Sequence, residues 1–155
     1  MMAKATIKYP DGFLEQLANL GSHTDEIIDS ALEAGGKIVL DAVRSSLQSA
    51  IGRGTVDSQS TGELVASLGL SPAKIDRKGD HNVKIGFNEP RRQQNKAKGK
   101  RSYYVRTNAM IANVLEYGRA GVQPPRPFLA PAKRASRKPA IDAMQAEIER
   151  RVSAL

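Results

Sequence analysis

TDEIIDSALEAGGKIVLDAVRSSLQSAI, residues 24–51, is the longest amphipathic stretch of the chain. Its larger apolar side chains recur every three or four residues, which is the spacing of one face of an α-helix. Thr24 suits the N-cap, and the acidic residues after it suit the positive end of a helix dipole. Gly35 and Gly36 interrupt the pattern, and a helical glycine costs about 1 kcal/mol relative to alanine. We therefore predict a long helix that ends near Ile51 and that another backbone approaches closely at the two glycines.

Upstream of this helix, the sequence predicts a second, shorter one. Residues 11–20 place their apolar side chains on one helical face, and Gly21 follows as a stop signal. Residues 1–10 lack the continuous apolar run of a signal peptide. We expect a flexible N-terminus over residues 1–10.

Downstream of residue 51, the pattern changes to loops and short strands. Residues 52–62 predict a polar loop, and residues 64–70 form an apolar segment that fits either a strand or a helical turn. Apolar side chains then occupy alternate positions over residues 83–87, which predicts a strand. Residues 88–101 form a basic loop, and we expect residues 102–106 to return as the partner strand of a long-looped hairpin.

The C-terminal third predicts two helices around a proline-rich segment. Residues 109–117 have helical spacing, and Gly118 is a suitable C-cap. Residues 121–131 contain four prolines and should be extended. A last helix is expected to run to the C-terminus, with Pro139 either starting or kinking it. Its apolar stripe consists of Ile141, Met144, Ile148, Val152 and Leu155.

These elements predict a single α+β domain over residues 1–155. A small antiparallel β-sheet with a long-looped hairpin should pack against the long N-terminal-half helix and the C-terminal helix. The chain has only three phenylalanines, four tyrosines and no tryptophan, so its core should be thin. A thin core indicates that part of the stability comes from a partner or from oligomerisation.

The net charge of +8 is concentrated in two segments without acidic residues. The first contains Arg91, Arg92, Lys96, Lys98, Lys100 and Arg101, and the second contains Arg126, Lys133, Arg134, Arg137 and Lys138. Local positive charge suits contact with an acidic surface or a phosphate backbone. Tyr103 and Tyr104 follow the first segment and could stack on bases. A solvated loop that a partner covers is the simpler interpretation of residues 91–101.

The sequence gives little support for catalysis. It contains no cysteine, no phosphate-binding glycine loop, no zinc-ligand spacing and no nucleophile elbow. His81 follows Asp80, but we interpret this pair as part of a solvated turn. Glu116 is an isolated acid, for which we expect a structural ion pair with Arg119 or Arg126. We predict that the protein is not an enzyme and binds no metal or cofactor.

Segments in a fixed order resemble the motifs of a phage protein family. The segments are residues 60–68, STGELVASL, residues 83–87, VKIGF, residues 114–118, VLEYG, and residues 125–132, PRPFLAPA. Together they are similar to the HK-ninety-seven gene-product-ten-like family of siphophage neck and tail-completion proteins. That family commonly has threonine where this chain has Arg119.

The resemblance implies a structural virion protein at the head–tail junction. Such a protein would form an oligomeric ring, with a hexamer favoured. Its expected partners are a head-completion or connector protein and the tail terminator or tail tube proteins, with possible contact to DNA passing through the channel and none to a membrane. Assembly would take place in the host cytoplasm.

The resemblance also implies roles for individual residues. Gly62 would allow the tight backbone that leads to Leu64, and Glu116, Tyr117 and Gly118 would end a helix beside the proline-rich segment. Phe128 would anchor that segment in the core. The candidate partner-interface residues are Pro125, Arg126 and Pro127, together with the six basic residues of the 91–101 loop. The alternative is a nucleic-acid-binding module that uses residues 91–101, and a metal-dependent hydrolase is a distant third possibility.

Overall fold

The computed structural model describes residues 12–51, 62–89 and 107–155, and it confirms the α+β class. The helices are α1 (Phe13–Ala50), α2 (Glu63–Ser67), α3 (Asn108–Tyr117) and α4 (Leu129–Val152). The strands are β1 (Leu68–Leu70), β2 (Lys74–Ile75), β3 (His81–Asn82) and β4 (Ile85–Phe87). Within the described residues, no helix combines the length and the apolar character needed to cross a bilayer.

Helix α1 is one continuous element of 38 residues, so the prediction of a separate short helix ending at Gly21 is wrong. The hydroxyl of Thr24 donates a hydrogen bond of 2.8 Å to the carbonyl of Leu20, and that of Ser22 donates to Asn19. Thr24 therefore bonds the preceding turn of the same helix rather than capping a new one. A single glycine such as Gly21 weakens a helix by about 1 kcal/mol. The helical turns on both sides can offset this cost, because each residue added to an existing helix gains a backbone hydrogen bond.

Gly35 and Gly36 of α1 lie where neighbouring elements approach closely. A Cβ atom on Gly35 would lie 2.7 Å from Cγ of Met144 in α4, and one on Gly36 would lie 2.9 Å from Cδ1 of Leu70 in β1. The expected close approach is present, but side chains make it rather than another backbone. Helices α1 and α4 are antiparallel neighbours, and their contact is the largest between any two elements among the described residues.

The strands form a nested hairpin. Strand β4 pairs antiparallel with β1 in the register Leu68 to Phe87, and β3 pairs antiparallel with β2. Residues 64–70 thus contain both of the structures that the sequence allowed, because α2 passes directly into β1. The predicted strand over residues 83–87 is confirmed for its last three residues. The predicted return strand and most of the basic loop lie outside the described residues, as do residues 1–11 and 52–61.

The core lies between α1, α3, α4 and the β1–β4 pair. Its buried members are Val43, Leu47, Ala50, Leu64, Leu68, Ala112, Leu115, Phe128 and Ala132. Phe128 and Leu47 have no exposed surface, and the ring of Phe87 meets the ring of Phe128 edge-on with centroids 6.3 Å apart. Of the other eight buried members, four are leucines, three are alanines and one is valine. Among the described residues, Phe128 is the only aromatic side chain that is a buried member of this cluster.

Helix α4 differs from its prediction in both its start and its packed face. It begins at Leu129, so Pro131 lies in its first turn, where a missing amide hydrogen costs nothing, and Pro139 lies inside it. Pro139 and Ala135 are exposed, so water can reach the carbonyl that the proline leaves unpaired. The residues buried against the core are Ala132, Ser136 and Ala140. Of the predicted apolar stripe, Met144 is half-buried and the other four residues are exposed.

Candidate protein-interaction site

The loop between α3 and α4, residues 118–128, is fixed at its base by the carboxylate of Glu116. One oxygen of this buried side chain accepts hydrogen bonds from the amides of Phe128 at 2.7 Å and Leu129 at 2.9 Å. The other oxygen accepts from the amide of Ala130 at 3.3 Å. These amides begin α4, where they have no intrahelical partner and where the helix dipole favours a negative charge. Glu116 thus caps α4 from the end of α3, and Phe128 provides no side-chain cap.

The predicted ion pair of Glu116 with Arg119 or Arg126 is therefore wrong. Arg126 contributes its backbone instead, because its amide donates a hydrogen bond of 2.7 Å to the carbonyl of Leu115. The sequence favoured an arginine as the partner of Glu116, because opposite charges can be recognised from residue types alone. A carboxylate that binds backbone amides 12 to 14 positions away leaves no such signal.

The α3–α4 loop is held in one conformation by its own backbone. Gly118 has φ of 76°, and its amide donates to the carbonyl of Val114 at 2.8 Å. A Cβ atom at Gly118 would lie 2.7 Å from the nitrogen of Pro125, so this position requires glycine. Arg119 and Gln123 exchange two backbone hydrogen bonds of 2.8 and 2.9 Å, which close a tight turn.

Two large apolar side chains are exposed here, one at the end of α3 and one in the rigid loop. Tyr117 is 76% exposed and Val122 is 71% exposed, and both line a shallow open cleft with Pro124 and Pro125. Pro125 and Pro127, two of the predicted interface residues, are exposed, whereas Arg126 is half-buried. Exposed aromatic and proline side chains on a fixed frame are typical of a surface that binds another protein.

A basic surface adjoins the loop. The first half of α4 exposes Lys133, Arg134, Arg137 and Lys138, and none of these four forms an ion pair with another described residue. Arg119 is exposed at the loop itself. No acidic residue occurs between Glu116 and Asp142. The surface therefore suits an acidic partner, whereas the basic residues predicted at 91–101 lie outside the described part of the chain.

The motif residue Gly62 precedes α2 with φ of 75°, a conformation that favours glycine, and Leu64 in the first turn of that helix is buried. Phe128 belongs to the same buried core cluster as Leu64. Gly62, Leu64 and Phe128 therefore belong to the framework rather than to the exposed surface.

His81 is not in a solvated turn, as the sequence suggested, but lies against α1. Its Nδ1 atom is 2.7 Å from a carboxylate oxygen of Asp29, and its Nε2 atom is 3.3 Å from one of Asp25. Both ring nitrogens can donate only when the imidazole is protonated, and hydrogen bonding to Asp29 raises the pKa of His81 above its ordinary value of 6.5. This contact joins residues 52 positions apart and fastens the β2–β3 hairpin to α1.

A second polar network ties the end of α4 to α1. Glu147 accepts hydrogen bonds from Arg150 at 2.6 Å, from Ser30 at 2.7 Å and from Arg151 at 3.0 Å. These bonds hold the pKa of Glu147 well below its ordinary value. Arg151 also reaches Glu26 at 3.2 Å. Residues 12–51, 62–89 and 107–155 contain no cluster of three or more histidine and acidic side chains arranged to hold a metal ion.

The features above define an α+β domain that presents a rigid apolar loop beside a basic helix face. The model of a phage family described as "Bacteriophage HK97-gp10, putative tail-component" matches residues 11–118. The chain belongs to this family, and the match ends at Gly118, the C-cap of α3. Searches of curated proteins and of solved structures found no match. The protein is thus a phage tail component, and the resemblance noted from the sequence motifs is confirmed.

Proposed function

We propose that this tail component completes the tail at the neck of a tailed bacteriophage and joins it to the head as part of an oligomeric ring. The observation that carries the proposal is the rigid α3–α4 loop, which exposes Val122 on the same cleft as the exposed Tyr117 at the end of α3. A loop that is already rigid loses little conformational entropy when it docks, so more of its contact energy appears as affinity.

The surroundings of the loop favour a protein neighbour of opposite charge. The four cations of α4 lie next to the loop without ion-pair partners among the described residues. Charge of one sign at the edge of an apolar contact speeds association and selects the partner. The partners proposed are a head-completion or connector protein on one side and tail terminator or tail tube proteins on the other.

A ring is proposed because the subunit has a thin core and because a tail tube has sixfold symmetry. The described core contains Phe128 as its only fully buried aromatic side chain, and association would add to its stability. A hexamer is the favoured copy number. The proposed location is the neck of the virion, after assembly in the host cytoplasm.

Binding to nucleic acid is the second candidate function, and the exposed cations of α4 favour it alongside the basic residues 91–101. DNA must slide through a neck, however, and a surface that grips phosphates tightly would hinder its passage. Affinity for duplex DNA that falls steeply with salt would support this alternative, since each neutralised phosphate releases counterions. Unmeasurable binding at low salt would exclude it.

The test of the proposed function removes the exposed apolar side chains of Tyr117, at the end of α3, and Val122, in the loop. In phages carrying Tyr117→Ser with Val122→Ser, we expect normal heads and normal tails that accumulate unjoined, as seen by electron microscopy of lysates. The matched control is Ile75→Ser, which removes another exposed apolar side chain, on strand β2. Circular dichroism of the purified variants should show unchanged folding. Normal joining in the double variant would refute the role of the loop.

A further inference from the structure

The cleft beside the α3–α4 loop is concave and its lining is mostly apolar. Its volume is about 580 Å³, and the apolar lining comes from Tyr117, Val122, Pro124 and Pro125. A cleft of this kind is filled by a side chain that projects from the partner, because a flat partner surface would leave it open. The cleft therefore fits one large apolar side chain of another molecule.

Arg119 lines the same cleft and brings a positive charge to it. Its backbone exchanges hydrogen bonds of 2.8 and 2.9 Å with Gln123, so the fold uses the main chain of this residue. The side chain is exposed and forms no ion pair with another described residue. A guanidinium binds a carboxylate through two parallel hydrogen bonds. An apolar surface and a carboxylate-binding group thus lie side by side.

The four cations at the start of α4 extend this positive surface. They form two pairs with i, i+4 spacing, Lys133 with Arg137 and Arg134 with Lys138. Like charges at this spacing destabilise a helix. Carboxylates placed over the two pairs would relieve the repulsion, so the surface is complementary to an acidic partner.

The rest of the chain does not supply the matching negative charge. The segments outside the described ranges, residues 1–11, 52–61 and 90–106, contain ten lysines and arginines against two acids, Asp11 and Asp57. Two acids are too few for Arg119 and the four cations of α4. None of the three segments has a net negative charge, and residues 90–106 contain seven basic residues and no acid. The neutralising groups must therefore come from another molecule.

We infer that the partner docks through a short acidic segment that contains one large apolar side chain. This side chain fills the cleft, a carboxylate next to it pairs with Arg119, and further carboxylates face the cations of α4. A phosphate backbone would match the charge, but Val122 and the two prolines of the cleft offer bases neither hydrogen bonds nor an aromatic plane. The inference rests on the proposed function, since it names the chemistry of the partner that meets the α3–α4 loop.

A display library of random short peptides, selected on the full-length protein, tests this chemistry without knowledge of the natural partner. We expect the enriched peptides to combine an aromatic or large aliphatic residue with several acidic residues. One enriched peptide is then synthesised with a fluorescent label, and its dissociation constant is measured by fluorescence anisotropy. Duplex DNA of random sequence is the competitor, and it should displace the peptide poorly.

Variants of the cleft show where the peptide binds. Tyr117→Ser should raise its dissociation constant at least about tenfold, because an aromatic anchor loses its contact. Arg119→Gln should raise it about threefold at low salt and less at high salt, since exposed ion pairs are weak and screened. Ile75→Ser and Arg77→Gln change exposed residues of the β2–β3 hairpin and should bind as the wild type does. Circular dichroism verifies the folding of all four.

The outcomes separate this inference from the proposed function. Enriched peptides without acidic residues, no enrichment at all, or stronger binding of DNA than of the peptide would each overturn the inference. Binding that Tyr117→Ser and Arg119→Gln leave unchanged would overturn it as well. In all these cases the proposed function stands if Tyr117→Ser with Val122→Ser still leaves heads and tails unjoined. Normal joining in that double variant would refute the role of the loop, whichever peptides are enriched.

Discussion

Glu116 shows how one carboxylate can join two helices. It lies in the last turn of α3, yet its hydrogen bonds go to the amides that begin α4, so the direction of the α3–α4 loop depends on it. Removal of the side chain leaves the buried amide of Phe128 and the partly buried amides of Leu129 and Ala130 without an acceptor at the positive end of a helix. A buried donor without a partner costs about 1–3 kcal/mol.

We predict that Glu116→Ala lowers the free energy of unfolding by about 2–3 kcal/mol. Glu116→Gln should cost less, because the amide oxygen can still accept one bond. Asp142→Ala removes an exposed acid from α4 and is the matched control, for which a change within about 0.5 kcal/mol is expected. Urea denaturation of the three variants gives the comparison. Equal stability of Glu116→Ala and Asp142→Ala would rule out the capping role.

The contact of His81 with Asp25 and Asp29 makes the stability of the protein depend on pH. The pKa of His81 is raised in the folded state, so its pairing stabilises the fold fully below the unfolded value of 6.5. This contribution is lost as the pH rises through the folded pKa. Thermal midpoints measured from about pH 5.5 to 8.5 should therefore fall with pH more steeply in the wild type than in His81→Gln. His23→Gln changes an exposed histidine and should keep the wild-type slope.

At the scale of elements, two glycines of the same helix should respond in opposite directions to the same substitution. Gly21→Ala meets nothing within 4 Å and should stabilise α1 by up to about 1 kcal/mol. Gly35→Ala would place a Cβ 2.7 Å from Cγ of Met144, and forcing that side chain aside should cost about 1–3 kcal/mol. Chemical denaturation of both variants is the measurement. If Gly35→Ala is as stable as Gly21→Ala, α4 does not pack closely there.

These elements also show which features could be predicted from the sequence. Helix α3 and strand β4 were predictable because their spacing and the cap at Gly118 are local signals. The packed face of α4 was missed, because small residues such as Ala132 and Ser136 allow close helix contact and carry little hydrophobic signal. The cap of α4 by Glu116 and the contact of His81 with Asp29 could not be predicted. Each joins residues that are distant in sequence and that come together only in the folded protein.

At the scale of the whole molecule, Phe128 connects α4, β4 and the core face of α1. Its ring has no exposed surface and meets Phe87, and the buried residues of its cluster are otherwise leucine, alanine and valine. Phe128→Ala should therefore lower the free energy of unfolding by about 3–5 kcal/mol, a large part of the stability of a domain of this size. Leu129→Ala, at a 41% exposed neighbour, should cost far less. A thermal midpoint unaffected by Phe128→Ala would show that the ring is not a core anchor.

The distribution of charge over the molecule gives the last prediction. The four cations of α4 lie beside the exposed loop, whereas Lys74, Arg77, Lys78 and Lys84 are exposed on the strand hairpin. Changing either group of four to serine removes the same net charge. If the α4 cations meet an acidic ring protein, only their removal should reduce head–tail joining.

High salt should reproduce that loss with wild-type protein, because exposed charge pairs are screened over about 10 Å at 0.1 M ionic strength. The yield of joined particles from mixed heads and tails, at two salt concentrations, measures both effects. Equal losses in the two serine variants would attribute the effect to total charge rather than to the α4 surface. A loss confined to the α4 variant, together with unmeasurable DNA affinity of the purified protein, would identify a protein partner for this surface and exclude nucleic acid.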